Sequence, residues 1–532
     1  MMKSNLLFAF LCLSLTILKA QNYNAQLKSL NVEHYRLAIE VNDDNDSIKA
    51  KMAVHLKFKK STSSFYLDLY NRDSISGKGM VVDSVYQNKI PVEFSHANNK
   101  LEIIPQHNFP NLPYTYTVTY KGIPKDGLII SKNLHGDRTF FGDNWPNRAH
   151  HWFPCVDHPS DKASIEYIIK APNHYQTIAN GSLIEETNLD SISNLYHWKT
   201  EVPIPTKVMV IGVAKFAVQN IGETHNIPVS TWVYPQAKEA GFLDFAIAQD
   251  VLNFFIENIG EYPYKKLANV QSKTRFGGME NAGNIFYYEK SVTGKQKNEY
   301  LIAHEIAHQW FGNSATEIDW PHVWLSEGFA TYFTDLYALS TKGEEEFMRR
   351  ITDERAKIIK FYERNQAPVV DFKTKDFMRL LNTNSYQKGA WFLHMLRHKI
   401  GDDNFKKGVQ TYYKMYAFKN ASTQDLNMVM NAVSNSNLNT FFNQWLFKSG
   451  HPVLKTNWIY GKEKLRIMVK QTQEVAFEFP LDLELVDLKG NKEIKTINVT
   501  NKDEAFVVET SLEVKKVNLD PNTKLLFELA KE

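Results

Sequence analysis

The sequence predicts a multidomain α+β protein, on three observations. Polar and apolar residues alternate through much of residues 21–220, as half-buried strands do. Between 221 and 450 the apolar spacing changes to three and four, as on amphipathic helices. From 451 to 532 alternation returns. At 532 residues the chain is too long for one hydrophobic core, so each stretch is expected to form its own domain.

Residues 1–20 stand apart and read as a signal peptide. Lys3 precedes an apolar run from Leu6 to Leu18, and Lys19-Ala20-Gln21 follows. That run is short for a membrane span and right for a signal core. Ala20 is the expected last residue before cleavage, although Leu18 is larger than the small residue preferred there. The alternative is an uncleaved anchor. Cleavage implies export, to a periplasm or outside the cell. Of the 2 cysteines, Cys12 lies in the signal run and only Cys155 remains, so no internal disulfide is expected.

Residues 21–220 carry the alternation at Tyr35–Val41, Lys51–Phe58 and Tyr114–Tyr120, an all-β pattern. Residues 141–159 interrupt it with a loop. Its histidines, His150, His151 and His158, read as solvated or packed side chains rather than metal ligands. In 221–450, Phe242, Phe245, Leu252, Ile256 and Ile259 mark one helical face, stopped by Gly260 and Pro263. Further helical patterns run over 344–361, 386–400 and 404–416. Phe441–Leu446 closes this region, and Gly450-His451-Pro452 breaks it. Strand patterns at Lys464–Val469, Leu481–Leu485 and Ala505–Val508 then suggest a small β-sandwich over 451–532.

Charge excludes one class of partner. Lys and Arg number 62 against 59 Asp and Glu, and no basic block stands out, so nothing points to nucleic acid. No second long apolar stretch follows the first, so no stable membrane span is expected after cleavage. Oligomeric state is not legible.

The chemistry concentrates at Leu301–Trp310. Ile302, Ile306 and Trp310 recur at helical spacing, and Gly312 follows as a stop. His304 and His308, four apart, leave the same helix face one turn apart, which suits one tetrahedral zinc ion. Glu305 stands beside them as a candidate general base for water. Glu327, in Trp324-Leu325-Ser326-Glu327-Gly328, would complete a His2Glu set and leave a fourth position open. One zinc ion per chain is expected. Upstream, Gly277-Gly278-Met279-Glu280-Asn281 suits an extended edge that a ligand backbone approaches closely. With the zinc helix nearby, Glu280 becomes a candidate anchor for a cationic group such as a free peptide amine.

These motifs, in the order GGMEN, HEIAHQWFGN, WLSEGFA and SYQKGA, resemble the gluzincin zinc aminopeptidases of the aminopeptidase N type. That family also includes the leukotriene-hydrolysing bifunctional enzyme, and the resemblance extends over nearly the whole chain after residue 20. It implies a saddle-shaped N-terminal β domain, a thermolysin-like catalytic domain and the small C-terminal β-sandwich. It further implies removal of the N-terminal residue from peptides bearing a free amine. Glu305 would act as base, Tyr386 would stabilise the oxyanion, and Gly277, Gly278, Met279, Glu280 and Asn281 would bind the substrate. Asp335 is a candidate acceptor for the second nitrogen of a zinc histidine.

One position departs from the family pattern. Ten residues before the cysteine of Pro154-Cys155-Val156-Asp157-His158-Pro159, relatives offer a Glu or Gln as a second amine anchor; here it is Trp145. Asp143 and Asn144 are the substitutes nearby. Many relatives also carry a large C-terminal helical domain over the active site, which this sequence lacks, so a more open cleft is expected unless a second subunit covers it. The competing readings are an open-cleft endopeptidase, an epoxide hydrolase activity, or a non-catalytic binding scaffold.

Overall fold

The computed structural model describes residues 23–531, so the signal-peptide reading of residues 1–20 lies outside the described residues. The N-terminal region is built on an eight-stranded sheet. Its long strands alternate in burial, as in Ile48–Phe58, where Ile48, Ala50, Met52, Val54, Leu56 and Phe58 all point inward. Most neighbours are antiparallel, but Leu30–Glu40 pairs in parallel with Ala163–Pro172. A four-stranded and a three-stranded sheet complete this β-rich part.

The next region is less purely helical than the spacing predicts. Ala217–Thr224, Ile227–Val233, Leu267–Ser272 and Asn284–Tyr288 form a sheet with the two-residue edge strand Gly278–Met279. Leu267–Ser272 is buried at every position, so it carries no alternation for a sequence pattern to catch. The face marked by Phe242 to Ile259 is split over two helices, Lys238–Phe245 and Ala248–Asn258. After the last strand of that sheet comes the short helix Glu299–Ala307, with His308 at its C-cap.

Two 19-residue helices follow, Trp324–Lys342 and Glu344–Tyr362, then Gly389–Ile400, Asp402–Tyr416 and Thr423–Ser434. The first of these is buried along almost its whole length from Trp324 to Ala338, the mark of a central helix. It crosses Gly389–Ile400 glycine on glycine: a Cβ on Gly328 would lie 2.9 Å from the Gly389 backbone. Only glycines allow this approach, and it brings the turn Asn384–Lys388 against the start of the Trp324 helix.

The C-terminal region consists of a four-stranded and a three-stranded sheet, each buried on one face by alternate residues such as Leu465, Ile467 and Val469, or Leu481, Leu483 and Leu485. The whole is a multidomain α+β architecture with an N-terminal β-rich part, a helical catalytic part and a C-terminal β part. No helix among the described residues is long and apolar enough to cross a membrane.

Candidate metal centre

His304 and His308 project from one helix face, as their spacing requires, and their Nε2 atoms stand 3.1 Å apart. Glu327, in the first turn of the Trp324 helix, brings Oε2 to 3.2 Å from His308 Nε2 and 3.5 Å from His304 Nε2. A tetrahedron with metal–ligand arms of ~2.0–2.1 Å has edges of ~3.3–3.4 Å. The three atoms therefore already occupy three corners of a zinc-sized tetrahedron. Glu327 Oε2 is buried and has no hydrogen-bond partner, as a ligand atom awaiting a cation should be.

A second trio, Glu280, Glu305 and His308, also brings its ligand atoms within 4.8 Å of one another. It is the poorer ligand set. Burial first, aided by the neighbouring carboxylates and opposed by His308, pushes Glu280 and Glu305 above the ordinary carboxylate range, so they give up a proton to a cation less readily than Glu327 does. Burial also pushes Glu327 up, but the two imidazoles pull it below the ordinary range and keep it an anion. One zinc ion held by His304, His308 and Glu327 fits these donors.

The ligands are held from behind. His308 Nδ1 lies 3.1 Å from the Phe311 carbonyl oxygen and 3.0 Å from Ser326 Oγ, which fixes the ring with Nε2 toward the site. The acceptor expected at Asp335 is not there. Asp335, two helical turns beyond Glu327, is fully buried, and its Oδ1 accepts from Arg350 Nε at 2.6 Å in a separate ion pair. A backbone carbonyl does the work instead, and no side-chain pattern announces a carbonyl.

Glu305 lies against the edge strand: a Cβ on Gly278 would sit 2.5 Å from its carboxyl carbon. A side chain at this position would push the Glu305 carboxyl group aside. Beyond Met279, the Glu280 carbonyl accepts from Gln309 Nε2 at 2.8 Å and Asn313 Nδ2 at 2.6 Å, while Gln309 Oε1 accepts from Gly283 N at 2.9 Å. Both amides follow the histidine helix, so the loop is bolted to the metal site. Sequence reasoning missed them, because nothing in their spacing says where their side chains point. The Glu280 side chain is 5% exposed, and its Oε1 has no partner.

Tyr386 completes the cleft. It rides on the π-helical turn Asn384–Lys388 and stacks on His304 with centroids 5.9 Å apart and planes at 15°. Burial, then Glu327, Glu280 and Glu305, push its hydroxyl pKa well up, so it stays a proton donor. Burial lowers the His308 imidazolium, but the same three carboxylates hold it up at about 10.

Gly277, Gly278, Met279 and Glu280 line this cleft, and so does Trp145. Asn281, expected to contact substrate, is fully buried and is not part of the cleft wall. Asp143 and Asn144 do not replace an amine anchor either. Asp143 pairs with Arg148 at 2.9 Å and accepts from Arg275 N; Asn144 donates to the Thr206 and Met209 carbonyls and accepts from Trp152 Nε1. All their reach goes to holding the loop. His150 is likewise structural, bonded to Asp157 at 2.7 Å, and His158 lies 3.4 Å from Asp319.

Known proteins share this plan. Residues 31–208 match the description Peptidase M1 N-terminal domain, and residues 244–445 match Peptidase family M1 domain. Glutamyl aminopeptidase of Sus scrofa is 29% identical over 327 residues, 59% of this chain and 35% of that protein. Leucyl aminopeptidase of Saccharolobus solfataricus is 25% identical over 423 residues, 75% of this chain and 51% of that protein. The chain thus spans about a third to a half of the length of these relatives. The crystal structure of an M1 zinc metallopeptidase from Deinococcus radiodurans superposes with a TM-score of 0.68 at 22% identity, over 80% of this chain and 95% of that one. With both family descriptions matched in sequence order, and a zinc-sized donor set inside the second match, the chain belongs to peptidase family M1, a family of zinc metallopeptidases.

Proposed function

We propose that this chain is an aminopeptidase that removes single residues from the free N-termini of peptides. The observation that carries this is the charge of the cleft. Glu280, Glu305 and Glu327 converge there, and the only side chains lining it that can carry positive charge are His304 and His308. A divalent ion and one substrate ammonium would neutralise three carboxylates; a blocked N-terminus would leave Glu280 uncompensated. A buried, unpaired carboxylate costs several kcal/mol, so a ligand that supplies its cation is strongly favoured.

His304, His308 and Glu327 would hold the zinc ion. When bound, it supplies Lewis acidity, polarising a carbonyl oxygen and acidifying water. The Glu280 carboxylate pairs with the substrate ammonium and so fixes which peptide bond stands before Glu305. Glu305 takes the proton of the attacking water on its carboxylate and returns one to the departing amine. The Tyr386 hydroxyl donates a hydrogen bond to the oxyanion that develops on the scissile carbonyl, a contribution of typically ~3–4 kcal/mol. The edge strand Gly278–Met279 offers its backbone to the extended peptide.

The test is a panel of aminoacyl fluorogenic substrates with and without an N-acetyl block. Free-amine forms should be cleaved and blocked forms should not. Equal rates would replace this reading with an endopeptidase. Export, supported by Lys3 and the apolar run Leu6–Leu18, is tested by N-terminal sequencing of protein recovered from the exported fraction.

A further inference from the structure

Away from its charged floor, the cleft is apolar. Trp145, Phe276, Met279, Leu301 and Leu381 line a cavity of about 240 Å³, and no lysine or arginine lines it. The Trp145 indole is fixed in place. It meets Phe276 edge-on at 6.4 Å between centroids and Trp320 at 5.7 Å, and Trp320 in turn stacks on Phe377 at 5.0 Å. Only 2% of Trp145 is exposed, so its ring is a rigid wall rather than a mobile flap.

We propose that Trp145 is a specificity-determining residue, the wall of a first-residue pocket that selects aromatic and large aliphatic side chains over acidic and basic ones. This rests on the aminopeptidase reading above. An apolar side chain gains by leaving water against this wall. A glutamate side chain would enter a cleft already holding three carboxylates and find no cation but those already engaged. A lysine side chain would have to compete with the substrate's own ammonium for Glu280. Both charged classes lose their hydration without a dedicated partner.

The experiment reads binding rather than turnover. Zinc-loaded Glu305→Gln protein is titrated calorimetrically with Phe-Ala-Ala, Ala-Ala-Ala, Glu-Ala-Ala, Lys-Ala-Ala and N-acetyl-Phe-Ala-Ala. Phe-Ala-Ala should bind at least about tenfold more tightly than any of the others. Adding Trp145→Ala should cut the Phe-to-Ala affinity ratio by about tenfold while Ala-Ala-Ala changes less than about threefold. Leu381 is only half-buried, so Leu381→Arg tests the same wall without a core substitution and should raise Glu-Ala-Ala relative to Phe-Ala-Ala. Equal affinity for the free-amine peptides, or a Phe-to-Ala ratio unmoved by Trp145→Ala in protein that melts normally, overturns this inference alone. Binding of the acetylated peptide as tightly as its free form overturns the aminopeptidase reading, and this inference with it.

Discussion

The Gln309 amide spans the Glu280 loop, giving a hydrogen bond to the Glu280 carbonyl at 2.8 Å and taking one from Gly283 N at 2.9 Å. It is a positioning residue: it touches the backbone of Glu280, the proposed amine anchor, and does not line the cleft. Gln309→Ala leaves the Gly283 amide without its partner, a cost of ~1–3 kcal/mol, and lets the loop relax. Zinc content should stay at one per chain. KM for free-amine substrates should rise about tenfold with kcat changed far less. A matching fall in both kcat and metal content would mean that the residue supports the helix instead.

Glu305→Gln removes the proposed base and keeps the shape. Metal measured by mass spectrometry should remain, while kcat falls by ~10²–10⁴. Glu327→Ala, in contrast, takes away one corner of the 3.1–3.5 Å triangle and should lose the metal itself. Chelation should abolish activity, and zinc should restore it in the native protein but not in Glu327→Ala at the same concentration.

What a single sequence discloses here follows from distance along the chain. His304 and His308 share a face because four residues make about one helical turn, so their convergence is written locally. Glu327 and Tyr386 arrive by tertiary packing, through the Gly328–Gly389 crossing, and only the order of motifs pointed to them. Gln309 and Asn313 act through side chains whose direction no spacing encodes. Asp335 shows the opposite failure: an acid at helical spacing from Glu327 invites a role at zinc, but Arg350 claims it. Leu267–Ser272 shows the same limit for the fold, since a strand buried on both faces loses the period that identifies strands.

Gly278 tests whether the edge strand sets the base. A methyl group there would press on the Glu305 carboxyl group, which must shift to make room for it. Gly278→Ala should keep zinc and fold but lower kcat by about tenfold or more, because a misplaced base loses its alignment. Wild-type kcat in that variant would show that Glu305 can turn aside without loss.

Asp161 provides a stability test remote from the metal. It is 2% exposed, and burial, only partly offset by the Val32 N–H and by Lys59, raises its pKa to about 7. The raised value means that the native state holds this proton more tightly than the unfolded chain does. Its contribution is therefore fully present below the ordinary carboxylate pKa of ~4 and is lost as pH rises through about 7. Asp161→Asn cannot ionise and keeps an acceptor for Val32 N at 3.3 Å. At pH 8 the variant should be more stable than the native protein by an amount on the order of 2–4 kcal/mol, and the advantage should vanish below pH ~4. Urea unfolding of zinc-loaded protein across pH 4–8 reads it directly. A pH-independent difference would mean that Asp161 ionises no differently in the folded and unfolded chains.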